Sequence, residues 1–298
     1  HQWSSWPDGS YGPGQADVAF FIDEAEGGDD PTDCVDCAVG KYSTVVGSFT
    51  IGDCVDCVAG TYVDVTGSDE VADCIGCIAG KYVEVMGSDA ETDCILCSVG
   101  KYSTTVGSLT EEDCTNCIAG RYVEVTGSNE EADCNLCGVG KYSTVVGSST
   151  ETNCTDCVAG KYVEITGSDE EADCLLCEAG MYSTVVGSSA IDDCTDCIAG
   201  KYVEAMGSDK ETDCNLCGVG KYSIVVGSSS QGDCTDCVAG KYLEVTGSDA
   251  ETDCILCGVG KYSTVVGSYS HGDCTDCVAG KYLEVTGSDA ETDCVLCD

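Results

Sequence analysis

At 298 residues the chain has room for one large or two ordinary domains, yet 3 Phe, 2 Trp and 3 Met cannot fill such a core. Its 54 acidic against 12 basic residues give a net charge of -42, which repels phosphate backbones and anionic lipid and so argues against nucleic acid and membrane surfaces as partners. The 28 Cys supply what the core lacks, at a density found in disulfide-built scaffolds of oxidising compartments.

Residues 1–33 differ from everything that follows, because Trp3, Trp6, Phe20 and Phe21 all lie here. The longest apolar run, Val18-Ala19-Phe20-Phe21-Ile22, is far short of the roughly 20 residues of a membrane helix. With no charged start, apolar stretch and cleavage site, His1 reads as the start of a mature form.

From Cys34 onward the sequence repeats every 20 residues without insertion or deletion, with Cys pairs at 34/37, 54/57 and so on to 294/297. Each unit reads C-x-x-C-x-x-G-x-Y-x-x-x-x-G-S-x-x-x-x-D, and there are 13 Cys-to-Cys loops between pairs. The organisation expected is an N-terminal segment over 1–33 that ends in a half repeat, then a tandem array over 34–298. Within a unit the β-branched stretches beginning at Tyr42, Tyr82 and Tyr242 (42–46, 82–86, 242–246) are predicted strands, bounded by glycines such as Gly40 and Gly47 that allow turns with positive φ. The fold class that follows is an all-β, disulfide-rich linear repeat rod of 20-residue modules with little or no helix.

Two kinds of copy alternate: a Ser/Thr-rich kind, as at Lys141-Tyr142-Ser143-Thr144, and an acidic kind, as at Lys161-Tyr162-Val163-Glu164. Ala38-Val39 in one kind becomes Val58-Ala59 in the other, which suggests volume compensation in a packed stack. The alternation slips once, since the copies opened by Cys57 and Cys77 are both acidic. A zinc ribbon, the strongest chemical competitor for this spacing, needs two Cys pairs and hence a 40-residue unit, which that slip contradicts. A thioredoxin-like role for C-x-x-C lacks the βαβ pattern it requires.

The run Cys37-x-x-Gly40-x-Tyr42, with its later glycine and the Cys that opens the next motif, resembles the cysteine-rich repeats of ephrin-receptor-like and tumour-necrosis-factor-receptor-like ectodomains. Similar arrays occur in protist and algal cell-surface proteins, including fibrous appendages such as flagellar hairs. The resemblance covers residues 34–297 and departs from the family where Pro commonly follows the second Cys. It implies pairing of Cys37 with Cys54, Cys57 with Cys74, Cys77 with Cys94, Cys97 with Cys114, Cys117 with Cys134, Cys137 with Cys154 and Cys157 with Cys174. The ladder then continues with Cys177 and Cys194, Cys197 and Cys214, Cys217 and Cys234, Cys237 and Cys254, Cys257 and Cys274, and Cys277 and Cys294. Each bridge is worth on the order of 3 kcal/mol through loop closure. Pairing of Cys34 with Cys54 and Cys37 with Cys57 stays open as the alternative.

The repeated Tyr is expected to cover its own module's disulfide, and eleven of the 12 basic residues directly precede it, where they can pair with neighbouring acids. Asp53 and its equivalents are expected to form Asx turns before the first Cys of each pair. Asp249, Glu251 and Asp253 are the candidate calcium ligands, set against a solvated acidic face. Asn153-Cys154-Thr155 is the sole N-glycosylation sequon, weakened by its central Cys. Only His1 and His271 are histidines and no nucleophile, base and orienting group recur together, so no enzyme is expected.

The leading reading is a structural subunit of an extracellular filament or appendage, a glycoprotein whose partner is itself. Residues 27–34 align with 287–294, so the array starts on the second half of a repeat, while Cys297 opens a repeat. The two halves are complementary: the segment holding Val18, Phe20, Phe21 and Ile22 would complete a neighbour's repeat, with a Cys34 to Cys297 bond between subunits, the alternative being that residues 1–33 fold back as a cap with Trp3 and Trp6 over the first module. The second reading is an acidic receptor-like or adhesion ectodomain that binds a protein or glycan, with calcium as its cofactor.

Overall fold

The computed structural model describes residues 36–45 and 51–297. They fall in two compact units, one reaching Leu136 and including Val145–Asn153, the other made of Cys137–Thr144 and the described residues from Cys154 onward. One module builds both. The N-terminal segment expected over 1–33, with Val18, Phe20, Phe21 and Ile22, lies outside the described residues, as does Cys34.

The module opened by Cys77 shows how the sequence folds. The chain leaves Cys77, turns at Gly80 with φ 81°, and forms the strand Lys81–Tyr82. It turns again at Gly87, φ 72°, enters a single 3-10 turn at Glu91–Asp93, and returns as Ile95–Leu96. The two strands pair antiparallel, Lys81 opposite Leu96 and Tyr82 opposite Ile95, and the Cys77–Cys94 disulfide closes the loop. No described non-glycine residue has positive φ, so the left-handed turns rest on glycine alone. Thirteen disulfides, each spanning 17 residues from Cys37–Cys54 to Cys277–Cys294, repeat this plan. The chain is a disulfide-rich all-β repeat, and its described helical elements are three-residue 3-10 turns.

The strands are shorter than the β-branched runs suggest and begin one residue earlier. Past Tyr82 the backbone leaves its own hairpin: the Val83 N–H donates to the Ser108 carbonyl of the next module at 3.2 Å, and Tyr82 bridges Ser108 in parallel. Two more bonds lock the same junction, from the Gly80 N–H to the Ser103 carbonyl (2.8 Å) and from the Gly107 N–H to the Cys77 carbonyl (2.7 Å). In the second unit Gly200, Val203 and Gly227 make the equivalent bonds to Ser223, Ser228 and Cys197. Backbone groups that an isolated hairpin would leave to water are thus satisfied between modules.

Contact also reaches the module after next. A Cβ placed on Gly80 would lie 2.3 Å from the Gly127 carbonyl oxygen, and one on Gly200 the same distance from that of Gly247. Only glycine permits this approach.

Three expectations are corrected by these contacts. The Tyr ring covers the next module's disulfide, not its own: Tyr62 packs on Cys77–Cys94 with Val83, and Tyr142 on Cys157–Cys174 with Val163. The cause is the parallel bridge, which carries each Tyr forward onto its neighbour. The Ala/Val exchange is no volume compensation, because Val58 and Ile78 are 55% and 57% exposed. At Asp93, the Asp before the closing Cys94, the side chain turns backwards and not into the Asx turn expected there. Asp93 Oδ2 reaches backwards and accepts the N–H groups of Asp89 (3.0 Å) and Ala90 (3.3 Å), capping the 3-10 turn from its last residue.

Candidate functional site

The alternation of copies is a set of paired chemical choices. Where the residue opposite the strand Lys is Asp, the two form an ion pair across the hairpin, as Lys141 with Asp156 (2.7 Å) and Lys221 with Asp236 (2.7 Å). In the acidic copies opened by Cys77, Cys157, Cys197 and Cys237 the residue opposite the Lys is Leu, and the Lys turns to the 3-10 helix, as Lys161 to Glu171 (3.2 Å) and Lys241 to Glu251 (3.3 Å). Lys101 confirms the rule by exception. Its copy is Ser/Thr-rich, but Asn116 stands opposite, so Lys101 pairs with Glu111 at 3.2 Å.

That pairing lowers the pKa of Glu111 below the ordinary Glu value, through hydrogen bonds first from Lys101 and then from the Ser98 hydroxyl. Burial raises Tyr82, with Glu111 and Glu84 adding to the shift, and burial raises Tyr122, with Glu151 and Glu124.

The core alternates as well. Acidic copies bury Val83, Val163 or Leu243 where Ser/Thr-rich copies bury Ser103, Ser183, Ser223 or Ser263. Each of these serines meets a second buried serine, Ser103 with Ser108 at 3.2 Å and Ser263 with Ser268 at 3.1 Å. In acidic copies the apolar residue removes that partner, and the buried hydroxyls of Ser68, Ser128 and Ser168 make no hydrogen bond.

A carboxylate staples acidic copies to the Ser/Thr-rich copies that follow. Glu164 accepts the Ile191 N–H (3.1 Å), Glu204 that of Gln231 (3.2 Å) and Glu244 that of His271 (2.9 Å), each at the start of the next module's 3-10 turn. The His271 ring also meets the edge of Tyr242, with centroids 5.8 Å apart. Sequence periodicity marks these Glu positions but not their partners, which lie one module on.

The remaining candidates are dispersed. Asp249 and Asp253 border a depression of about 530 Å³ with Glu244 and Thr246, whereas Glu251 is drawn to Lys241. Among the described residues no three His, Cys, Asp or Glu side chains form a group that could hold a metal. Asn153 closes the 3-10 turn Glu151–Asn153, and its Oδ1 accepts from the Thr150 hydroxyl at 2.7 Å. Cys297 is an exposed free thiol whose N–H donates to the Gly280 carbonyl, as the N–H of Cys277 does to that of Gly260.

Residues 80–134 match the family model described as tyrosine-protein kinase ephrin type A/B receptor-like. The chain is a cysteine-rich repeat array, ephrin-receptor-like over that stretch. The matched stretch contains the whole Cys97–Cys114 and Cys117–Cys134 loops, and the same loop recurs to Cys294. No curated protein matches the chain. Receptor-like repeats held by thirteen disulfides indicate an extracellular or secreted module. Among the described residues no helix is long and apolar enough to cross a membrane.

Proposed function

We propose that the array is a non-catalytic structural subunit of an extracellular filament or appendage, joined head to tail. The supporting observation is the uniformity of the junctions: the same three backbone bonds and the same glycine contact join copy after copy within each unit. A ligand-binding ectodomain needs one copy to depart from the rest. In this reading the segment 18–33 of one copy completes a repeat with a second copy, and Cys34 bonds Cys297.

Cys34→Ser tests the reading, since it removes one thiol and leaves the thirteen described disulfides untouched. The unmodified protein is expected to run as a covalent ladder on a non-reducing gel and the variant as a single band. A variant that still ladders excludes this bond, and an unmodified protein that stays a monomer excludes the assembly.

A further inference from the structure

Two acidic copies that touch each other carry the same depression. Gly200 meets the Gly247 carbonyl, so the copy opened by Cys197 stacks on the copy opened by Cys237. In the second, Glu244, Asp249 and Asp253 border a hollow of about 530 Å³ whose wall also holds Leu243, Val245 and Ile255. In the first, Glu204, Asp209 and Asp213 border one of about 610 Å³ together with Val203 and Met206. Each hollow is thus an apolar wall rimmed by three carboxylates.

No lysine or arginine lines either hollow, because Lys201 and Lys241 turn away to Glu211 (3.5 Å) and Glu251 (3.3 Å). Lys210, outside the lining and 68% exposed, approaches Asp209 at 3.5 Å, an exposed pair that contributes little. The rim keeps acceptor capacity. Glu204 and Glu244 each use one oxygen for a staple, and Asp213 uses Oδ2 for the N–H groups of Asp209 and Lys210. Ser248 lines the second hollow and is 6% exposed, and among the described residues its hydroxyl has no hydrogen-bond partner. The hydroxyl of Ser168, at the same position one acidic copy before Ser208, is likewise buried and unpartnered. Among the described residues no three acids converge closely enough to hold a metal, so these acceptors suit a wide, many-donor cation and not a point charge.

We propose that the row of acidic copies docks an extended arginine-rich segment of a partner protein, one guanidinium to each hollow. The arginine stem lies along Val245 and Ile255 in one copy and Met206 in the other, while its planar head offers five N–H donors to the separated carboxylates and to the Ser248 hydroxyl. Because the hollow recurs on stacked copies, weak single contacts add along one partner strand. The inference goes beyond the end-to-end reading and does not depend on it, since a single chain carries both hollows.

The test is calorimetric titration of the full chain, with Cys297→Ser so that end-to-end bonds play no part, against an end-blocked hexa-arginine peptide. Salt of about 0.15 M suppresses diffuse attraction. Binding is expected, and Asp209→Asn with Asp249→Asn should weaken it about 10-fold. Glu178→Gln with Asp192→Asn removes the same charge from exposed positions of a Ser/Thr-rich copy and should change it by no more than about 2-fold. Met206→Ser with Val245→Ser leaves the net charge untouched and should weaken binding about 3-fold, which attraction between charges alone does not explain. Absence of binding, equal weakening by the two acid pairs, or an unmoved affinity in the Met206 and Val245 variant overturns the proposal.

Discussion

Gly80 lies against the carbonyl oxygen of Gly127, two modules further on, so closely that a Cβ on Gly80 would stand 2.3 Å from it. Gly80 also sits at φ 81°, where an L side chain is strained. Both effects act together in Gly80→Ala, which should cost about 2–4 kcal/mol in denaturant unfolding. Gly138→Ala is the control, with open space around it and no positive φ. It should be neutral or add about 0.5 kcal/mol through the unfolded chain. Equal effects of the two substitutions would contradict the second-neighbour contact.

The serine hydroxyls give opposite signs at equivalent positions. Ser128 is 4% exposed and its hydroxyl makes no hydrogen bond, so Ser128→Ala should stabilise by about 1 kcal/mol. Ser188 is paired with Ser183 at 3.3 Å and also donates to the Val185 carbonyl. Ser188→Ala leaves Ser183 short of a partner and should destabilise by about 1–2 kcal/mol. Thermal unfolding of the two variants side by side checks the signs.

The repeat, its all-β character and its reliance on cysteine were legible because period and composition are local properties. Local pattern alone points Tyr82 at its own disulfide for the same reason: nothing local says that its strand bridges Ser108 instead. The glycines could be seen to need positive φ, but the need for Gly80 to touch Gly127 comes from stacking alone. Likewise the Ser/Thr and acidic kinds were visible, while the buried Ser103 and Val83 that distinguish their cores look like any other strand residues until burial is known. Of the candidate calcium residues, Asp249 and Asp253 border one depression, while Glu251 pairs with Lys241, a contact one module's periodicity does not reveal.

The carboxylate staples should be visible in hydrogen exchange. Glu164→Ala removes the acceptor of the Ile191 N–H and should speed exchange of that amide about 10-fold, with little change at Gln231, which Glu204 holds. Unchanged exchange at Ile191 would show that the contact does not persist in solution.

Acid stability should respond to Lys101. A carboxylate whose folded-state pKa is depressed adds stability above its unfolded pKa and loses it as pH falls through the folded value. For Glu111 the depression comes first from the Lys101 hydrogen bond, so Lys101→Met should raise its pKa and narrow that acid window. Asn116→Asp should act in the same direction by giving Lys101 a carboxylate across the strand, as Asp156 serves Lys141. Carboxyl titration by NMR reads both, and an unmoved Glu111 in both variants would rule out the switch of partners.

Electron microscopy of the non-reduced, full-length protein tests the structural role most directly. Filaments many chains long are expected, in which the 20-residue module continues through every junction between subunits without a gap and which are lost on adding reductant. Discrete particles one chain long under oxidising conditions would contradict it.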